Sequence, residues 1–77
     1  MNEKPVAIVL GGIVPHKNLL EKLKKRGYYT ILIDYFENPP AAAAADLHLR
    51  ESAMDKEAVL RAAKKYHAAL VLCTCLD

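Results

Sequence analysis

The sequence contains few of the residues that form metal centres or membrane spans. Its two cysteines, Cys73 and Cys75, lie in an apolar run with no further soft ligands nearby, which favours packing inside a strand over metal or redox chemistry. No apolar run approaches the roughly 18 residues that span a bilayer, and no small-residue cleavage site follows the amino terminus. We therefore expect no metal site, no membrane insertion and a cytoplasmic location.

An excess of charge of one sign is also absent. The net charge is +2, and the basic residues cluster at predicted helix ends instead of alternating with aromatic residues, so we expect no nucleic-acid partner. A chain of 77 residues is long enough for one small domain and too short for a multidomain enzyme. Residues 1–77 are therefore predicted to form a single domain.

The most distinctive stretch runs from Val6 to His16, where five apolar residues precede Gly11 and Gly12, and Pro15 follows. An uninterrupted apolar run is typical of a strand that is buried on both faces of a parallel sheet. The glycine pair suits a tight turn, and Pro15 suits the first turn of a helix. No Ser, Thr, Asp or Asn is available to cap that helix, so we expect its first N–H groups to face solvent or an anion.

Strand and helix patterns alternate along the whole chain. The predicted strands are Val6–Leu10, Tyr28–Tyr35, Leu47–Arg50 and Ala68–Leu76, and the predicted helices are Lys17–Arg26, Ala41–Ala45 and Lys56–Tyr66. Right-handed crossovers place the first three strands in order and return the fourth to the free side of strand 1. The predicted fold is α/β, a Rossmann-like parallel sheet of four strands in the order 3-2-1-4 with helices on both faces.

In such a sheet, ligands bind beyond the carboxyl ends of the strands, where the strand order reverses. The candidate ligand-binding residues share this edge: Gly11, Gly12, Pro15, His16, Asp34 and Asp77. Asp34 either accepts a hydrogen bond from a ribose hydroxyl or caps the following turn. His16 either donates to a ligand as a neutral imidazole or stands exposed without a role.

Several motifs follow one another in an order and spacing that match a known family. They are the VLGGIVPH loop, the Arg26-Gly27-Tyr28 junction, Asp34 with the Asn-Pro-Pro turn, and the Ala45-Asp46 pair. Over nearly the whole chain this pattern resembles the amino-terminal domain that precedes the ATP-grasp fold. The resemblance is greatest to members related to biotin carboxylase and the large subunit of carbamoyl-phosphate synthase.

This resemblance implies a pre-ATP-grasp domain that forms part of the substrate side of a carboxylate–amine ligase. In that family the ATP-clamping lobes and the magnesium-binding carboxylates lie downstream, so ATP and magnesium are implied for the full-length enzyme. This chain is expected to be a fragment that carries no catalytic residue and no cofactor, and its partners would be the downstream ATP-grasp domains and a small-molecule substrate. A free-standing α/β domain that binds nucleotide or phosphate is the alternative.

Strand 4 carries a further expectation about partners. Its predicted residues are apolar throughout, and the predicted order leaves it at an edge of the sheet. An apolar edge with unpaired N–H and C=O groups templates pairing with another chain. We therefore expect the isolated domain to form a homo-oligomer through strand 4 or to be only marginally stable as a monomer.

Overall fold

The strand β1 (Val6–Leu10) lies in the interior of the sheet, with residues 7–10 buried. The computed structural model describes residues 4–11, 14–37, 39, 41–52 and 54–72. The other elements are α1 (Val14–Lys25), β2 (Tyr29–Ile33), a 3-10 helix (Ala42–Ala44), β3 (Leu47–Leu49), α2 (Lys56–Lys65) and β4 (Ala68–Leu72). All strand pairs are parallel and the order is β3-β2-β1-β4, which confirms the predicted fold.

Alternation along β1 divides the core into two layers, because successive side chains of a strand point to opposite faces. Ala7 and Val9 pack with Leu20 and Leu23 of α1 on one face. Ile8 and Leu10 pack with α2 on the other face. The sheet is therefore covered by helices on both faces, as predicted.

The ends of the helices follow ordinary capping chemistry. The Asp55 side chain accepts from the backbone N–H groups of Glu57 and Ala58 and so caps the start of α2. Gly27 follows α1 with φ +91°, in the left-handed region that glycine tolerates. The first helix begins at Val14 instead of the predicted Lys17, so that Pro15 does lie in its first turn.

Two predicted elements are shorter in the structure by two residues or more, while β3 and α2 each end one residue earlier than predicted. The strand β2 ends at Ile33 instead of Tyr35, because the chain turns at Asp34, whose Oδ1 accepts from the Phe36 N–H at 2.8 Å. The alanine run forms a single 3-10 turn, and Ala45 then takes an extended conformation with ψ 150°. High helix propensity is not enough here, since a lone short segment gains little from propagation.

The strand β4 corrects one expectation about burial. Its apolar sequence predicted burial on both faces, whereas exposed and half-buried residues alternate, and Val71 is 40% exposed. The strand lies at an edge of the described sheet, and a single helix is too narrow to cover four strands. Residues 73–77, which include Cys73, Cys75 and Asp77, lie outside the described part of the chain.

A polar contact that the sequence analysis did not identify joins β2 to the start of β3. Asp46 Oδ2 accepts from the Thr30 N–H at 2.9 Å and from the Thr30 hydroxyl at 3.0 Å. Lys24 Nζ lies 3.9 Å from Asp46 Oδ1. Partial burial raises the pKa of Asp46, but the hydrogen bonds from Thr30 and the charges of Lys24 and Lys4 outweigh burial and hold the pKa below its ordinary value.

The lowered pKa of Asp46 predicts a pH-dependent contribution to stability. The ionised carboxylate stabilises the folded state fully above the unfolded pKa of 3.8, and this contribution is lost as pH falls through the lower folded pKa. Asp46→Asn should reduce the free energy of unfolding by about 1.5 kcal/mol at about pH 7, and by much less at about pH 3. Urea denaturation across this pH range measures the difference.

The control for this prediction is Glu37→Gln, which neutralises an exposed carboxylate in a turn. It should change stability little at any pH, as is usual for exposed surface residues. A loss for Asp46→Asn that is equally large at low and neutral pH would contradict the role of the ionised carboxylate.

The exposed edge of β4 leads to a prediction about self-association. Residues 68–72 contain no charged side chain, so nothing in this segment repels a second copy. We expect the mean mass by light scattering to rise with concentration, and Val71→Lys to reduce that rise. A protein that stays monomeric at high concentration, exchanges its β4 amides quickly and yet unfolds at a high temperature would contradict this expectation.

Candidate functional site at the carboxyl edge of the sheet

Gly11 and Asp34 stand side by side because the carboxyl ends of parallel strands meet at one edge. Gly11 follows β1, and its N–H donates to the carbonyl of Ile33 at the end of β2, at 2.8 Å. Its φ of +93° requires the conformational freedom of glycine. The predicted turn is therefore present at Gly11, whereas Gly12 lies outside the described residues.

The first turn of α1 contributes two more of the predicted residues. Pro15 lies in this turn, as its fixed φ favours. His16 is only 2% exposed, so the alternative of an exposed histidine is wrong. Contacts of Pro15 and His16 with a ligand stay predictions.

Asp34 has the capping role that was one of its two alternatives. Its Oδ1 accepts from the Phe36 N–H, while its own N–H donates to the Leu49 carbonyl at 3.2 Å. His48 Nε2 lies 3.0 Å from the Asp34 carbonyl and donates to it when protonated there. The other carboxylate oxygen, Oδ2, has no hydrogen-bond partner among the described residues. Capping therefore does not prevent Asp34 from binding a ligand.

The sequence analysis missed three residues at this edge. Tyr35 and Phe36 are 63% and 71% exposed, and their ring centroids are 6.3 Å apart in an edge-to-face arrangement. Arg50, directly after β3, donates from Nε to the Tyr35 carbonyl at 3.0 Å, and its guanidinium lies 5.6 Å from the centre of the Tyr35 ring. The available signal was a pair of aromatic residues directly after a strand that ends in an acid.

The described residues also bear on metal binding and on membrane-spanning helices. No group of three or more His, Cys, Asp or Glu side chains in that part of the chain could hold a metal ion. The described residues therefore do not fit a magnesium site. None of the described helices is long and apolar enough to cross a membrane.

Asp34 can be tested by separating its two roles. Asp34→Asn retains a side-chain oxygen that can accept from the Phe36 N–H, so stability should change little. Asp34→Ala removes that acceptor and should lower the free energy of unfolding by about 1 kcal/mol. Thermal unfolding of both variants measures the difference, and equal stabilities for Asn and Ala would contradict the capping role.

Comparisons with known proteins place the fold. No family model matches the sequence, and no curated protein matches it. The ADP complex of an N5-carboxyaminoimidazole ribonucleotide synthetase matches with a TM-score of 0.79 and 22% identity, over 96% of this chain and 19% of that chain. The same synthetase from Thermotoga maritima matches with a TM-score of 0.77 and 25% identity, over 94% of this chain and 19% of that chain.

The chain thus spans about a fifth of the length of these structures. The synthetase is an ATP-grasp ligase, which agrees with the family that the motifs indicated. The narrower resemblance to biotin carboxylase and carbamoyl-phosphate synthase stays a prediction. In its four-stranded α/β fold, the chain is similar to the amino-terminal domain of an ATP-grasp ligase.

Proposed function

We propose that this chain is the amino-terminal, substrate-side domain of a larger ATP-grasp carboxylate–amine ligase, similar to carbamoyl-phosphate synthase, and that it is inactive alone. The observation that supports this most is the structural match, which covers nearly all of this chain and only 19% of each synthetase. The downstream ATP-grasp domains and a small-molecule substrate are its proposed partners. We propose a cytoplasmic location for the whole ligase.

The carboxyl edge of the sheet offers a suitable place for an anionic substrate. The first turn of α1 contains no acidic residue, so no side-chain carboxylate there offsets the positive end of the helix dipole. The positive φ of Gly11 directs the chain from β1 into the segment before this helix. A substrate carboxylate would therefore be favoured near the start of α1, beside Gly11.

In such a ligase, this domain and the downstream domains would have different tasks. The substrate carboxylate takes the terminal phosphoryl group of ATP to give an acyl phosphate and ADP, and an amine then displaces phosphate to form the new C–N bond. ATP and magnesium would bind to the downstream lobes. The proposed part of this domain is to hold and orient the substrate, which favours reaction by positioning.

A second candidate function follows from Asp34 Oδ2, which has no partner among the described residues. A free-standing nucleotide- or phosphate-binding domain would use this oxygen together with the start of α1. Titrations with ATP, NAD and phosphate, followed through the amides of Gly11 and Asp34, distinguish the two functions. Tight binding by this chain alone would favour the second.

ATP turnover by the purified chain gives a direct prediction. We expect no ADP release above the background of a mock preparation, because phosphoryl transfer needs a positioned metal and a phosphate clamp. The described residues contain no candidate metal cluster. Turnover that Gly12→Val abolishes, and that persists after further purification, would contradict this prediction.

The proposed function is tested on the natural protein. Its intact mass should exceed that of the 77-residue chain, and it should release ADP only when a suitable carboxylate is present. In that protein, Gly12→Val should reduce kcat/KM more than it reduces stability. A natural protein with the mass of this chain and no ATP-grasp partner would overturn the proposal. Unchanged activity of Gly12→Val would show that the glycine loop only connects β1 to α1 and does not contact the substrate.

A further inference from the structure

We propose that the free edge of β3, together with the groove between β3 and α2, binds an extended acidic segment of a partner protein. The segment adds to the sheet as a further strand, and its carboxylates pair with Arg61 and Lys65 on α2. This surface lies at the opposite edge of the sheet from β4. It is independent of the proposed ligase function, because it uses the side of the sheet and not the turn at Gly11.

The first observation is that β3 is an ordered edge strand. It pairs with β2 on one side and with no described strand on the other. Free backbone N–H and C=O groups at such an edge are the groups through which a peptide adds to a sheet. Asp46 and Arg50 fasten the two ends of β3 to Thr30 and Tyr35. An edge held in this way loses less conformational entropy when a peptide binds.

The second observation is a groove of about 320 Å³ between α2 and β3. The apolar residues that line it are Leu49, Ala58, Ala62 and Tyr66. The groove exists because the helix presents short alanine side chains here, which leave Leu49 only half-buried. Leu47 and Leu49 both face the α2 layer, so alternate side chains of an added strand would face it too. An apolar side chain of that strand would fill the groove.

The third observation is the charge along the groove. Arg61 and Lys65 are exposed and line it, and neither forms an ion pair among the described residues. Lys65 Nζ lies 5.4 Å from the centre of the Tyr66 ring, a cation–π contact that favours this position of the ammonium group. Glu51 also lines the groove, so cations outnumber acids there by two to one. This excess favours an acidic partner.

The spacing of the two cations matches that of a strand. Arg61 and Lys65 are four residues apart on a helix, which separates them by about 6 Å along its axis. Strand residues that share a face are about 6.6 Å apart. Because α2 joins two parallel strands, it runs against β3 and places Lys65 toward the amino end of β3, away from Glu51. The matching segment therefore has two acids at alternate positions and then an apolar residue.

A second copy of this chain fits the β3 edge less well. Antiparallel pairing of two β3 strands about a two-fold axis would place both copies of α2 on the same face of the joined sheet. The cations Arg61 and Lys65 of the two copies would then face each other, and like charges at an interface are unfavourable. We assign the segment to a separate protein, because the described chain leaves the sheet from β4, about 14 Å away across three strand spacings.

The test uses the synthetic peptide Thr-Asp-Thr-Asp-Thr-Leu-Thr, blocked at both ends, in a nitrogen-15 NMR titration of the chain. We expect it to shift the amides of residues 47–51, Arg61 and Lys65 and to slow hydrogen exchange in β3. Arg61→Gln combined with Lys65→Gln should raise Kd by roughly fivefold. Lys22→Gln combined with Lys25→Gln removes the same charge from exposed positions on α1 and should leave Kd nearly unchanged.

Two control peptides separate charge from strand pairing. A peptide with lysine in place of both aspartates should not bind, and a fully N-methylated peptide should bind much more weakly because it lacks N–H donors. Equal binding of either control, an unchanged Kd in the Arg61 and Lys65 double variant, or shifts confined to residues 68–72 would overturn the proposal.

Two further results would assign the β3 edge to another occupant and also overturn the proposal. If β3 amides shift with protein concentration alone while the mean mass by light scattering rises, the occupant is a second copy. If the natural protein is longer and does not bind the peptide that this chain binds, another part of the same protein covers the groove. Binding of the peptide to both proteins would support a separate partner.

Discussion

Burial of β1 on both faces is the constraint on which the rest of the structure depends. The strand pairs with β2 on one side and β4 on the other, so it has no free edge in the described sheet. Its alternate residues belong to two separate hydrophobic layers, one beneath α1 and one beneath α2. Because the turn at Gly11 begins where this strand ends, the position of the candidate site follows directly from the packing of β1.

Much of this arrangement could be predicted, because helix ends depend on nearby residues and the strand order follows from the right-handed crossover rule. The Asp55 cap and the Gly27 stop depend on residues within one helical turn. The strand order depends only on alternating elements and the right-handed crossover rule. The exposure of β4 could not be predicted from its apolar composition. Val71 is exposed because one helix is too narrow to cover the edge strand as well as the strands beside it.

The candidate site could be predicted only in part. Gly11 and Asp34 were found because glycine and an acid at strand ends have established conformational and chemical roles. The burial of His16 was not foreseen, because it depends on where α1 begins and how that helix lies on the sheet. Arg50 was missed because its contact with Tyr35 joins residues distant in sequence, and no local pattern reports such a pair.

The short strand β3 is held to β2 at both of its ends by side chains. Asp46 binds Thr30 at its amino end, and at its carboxyl end Arg50 binds the Tyr35 carbonyl. A strand of three residues makes few backbone hydrogen bonds to its neighbour, and without these side-chain contacts it would be the first strand to separate from the sheet. Because both ends of β3 are bound to β2 in this way, the alanine-rich segment is not the only connection that sets the position of β3 beside the turn that follows β2.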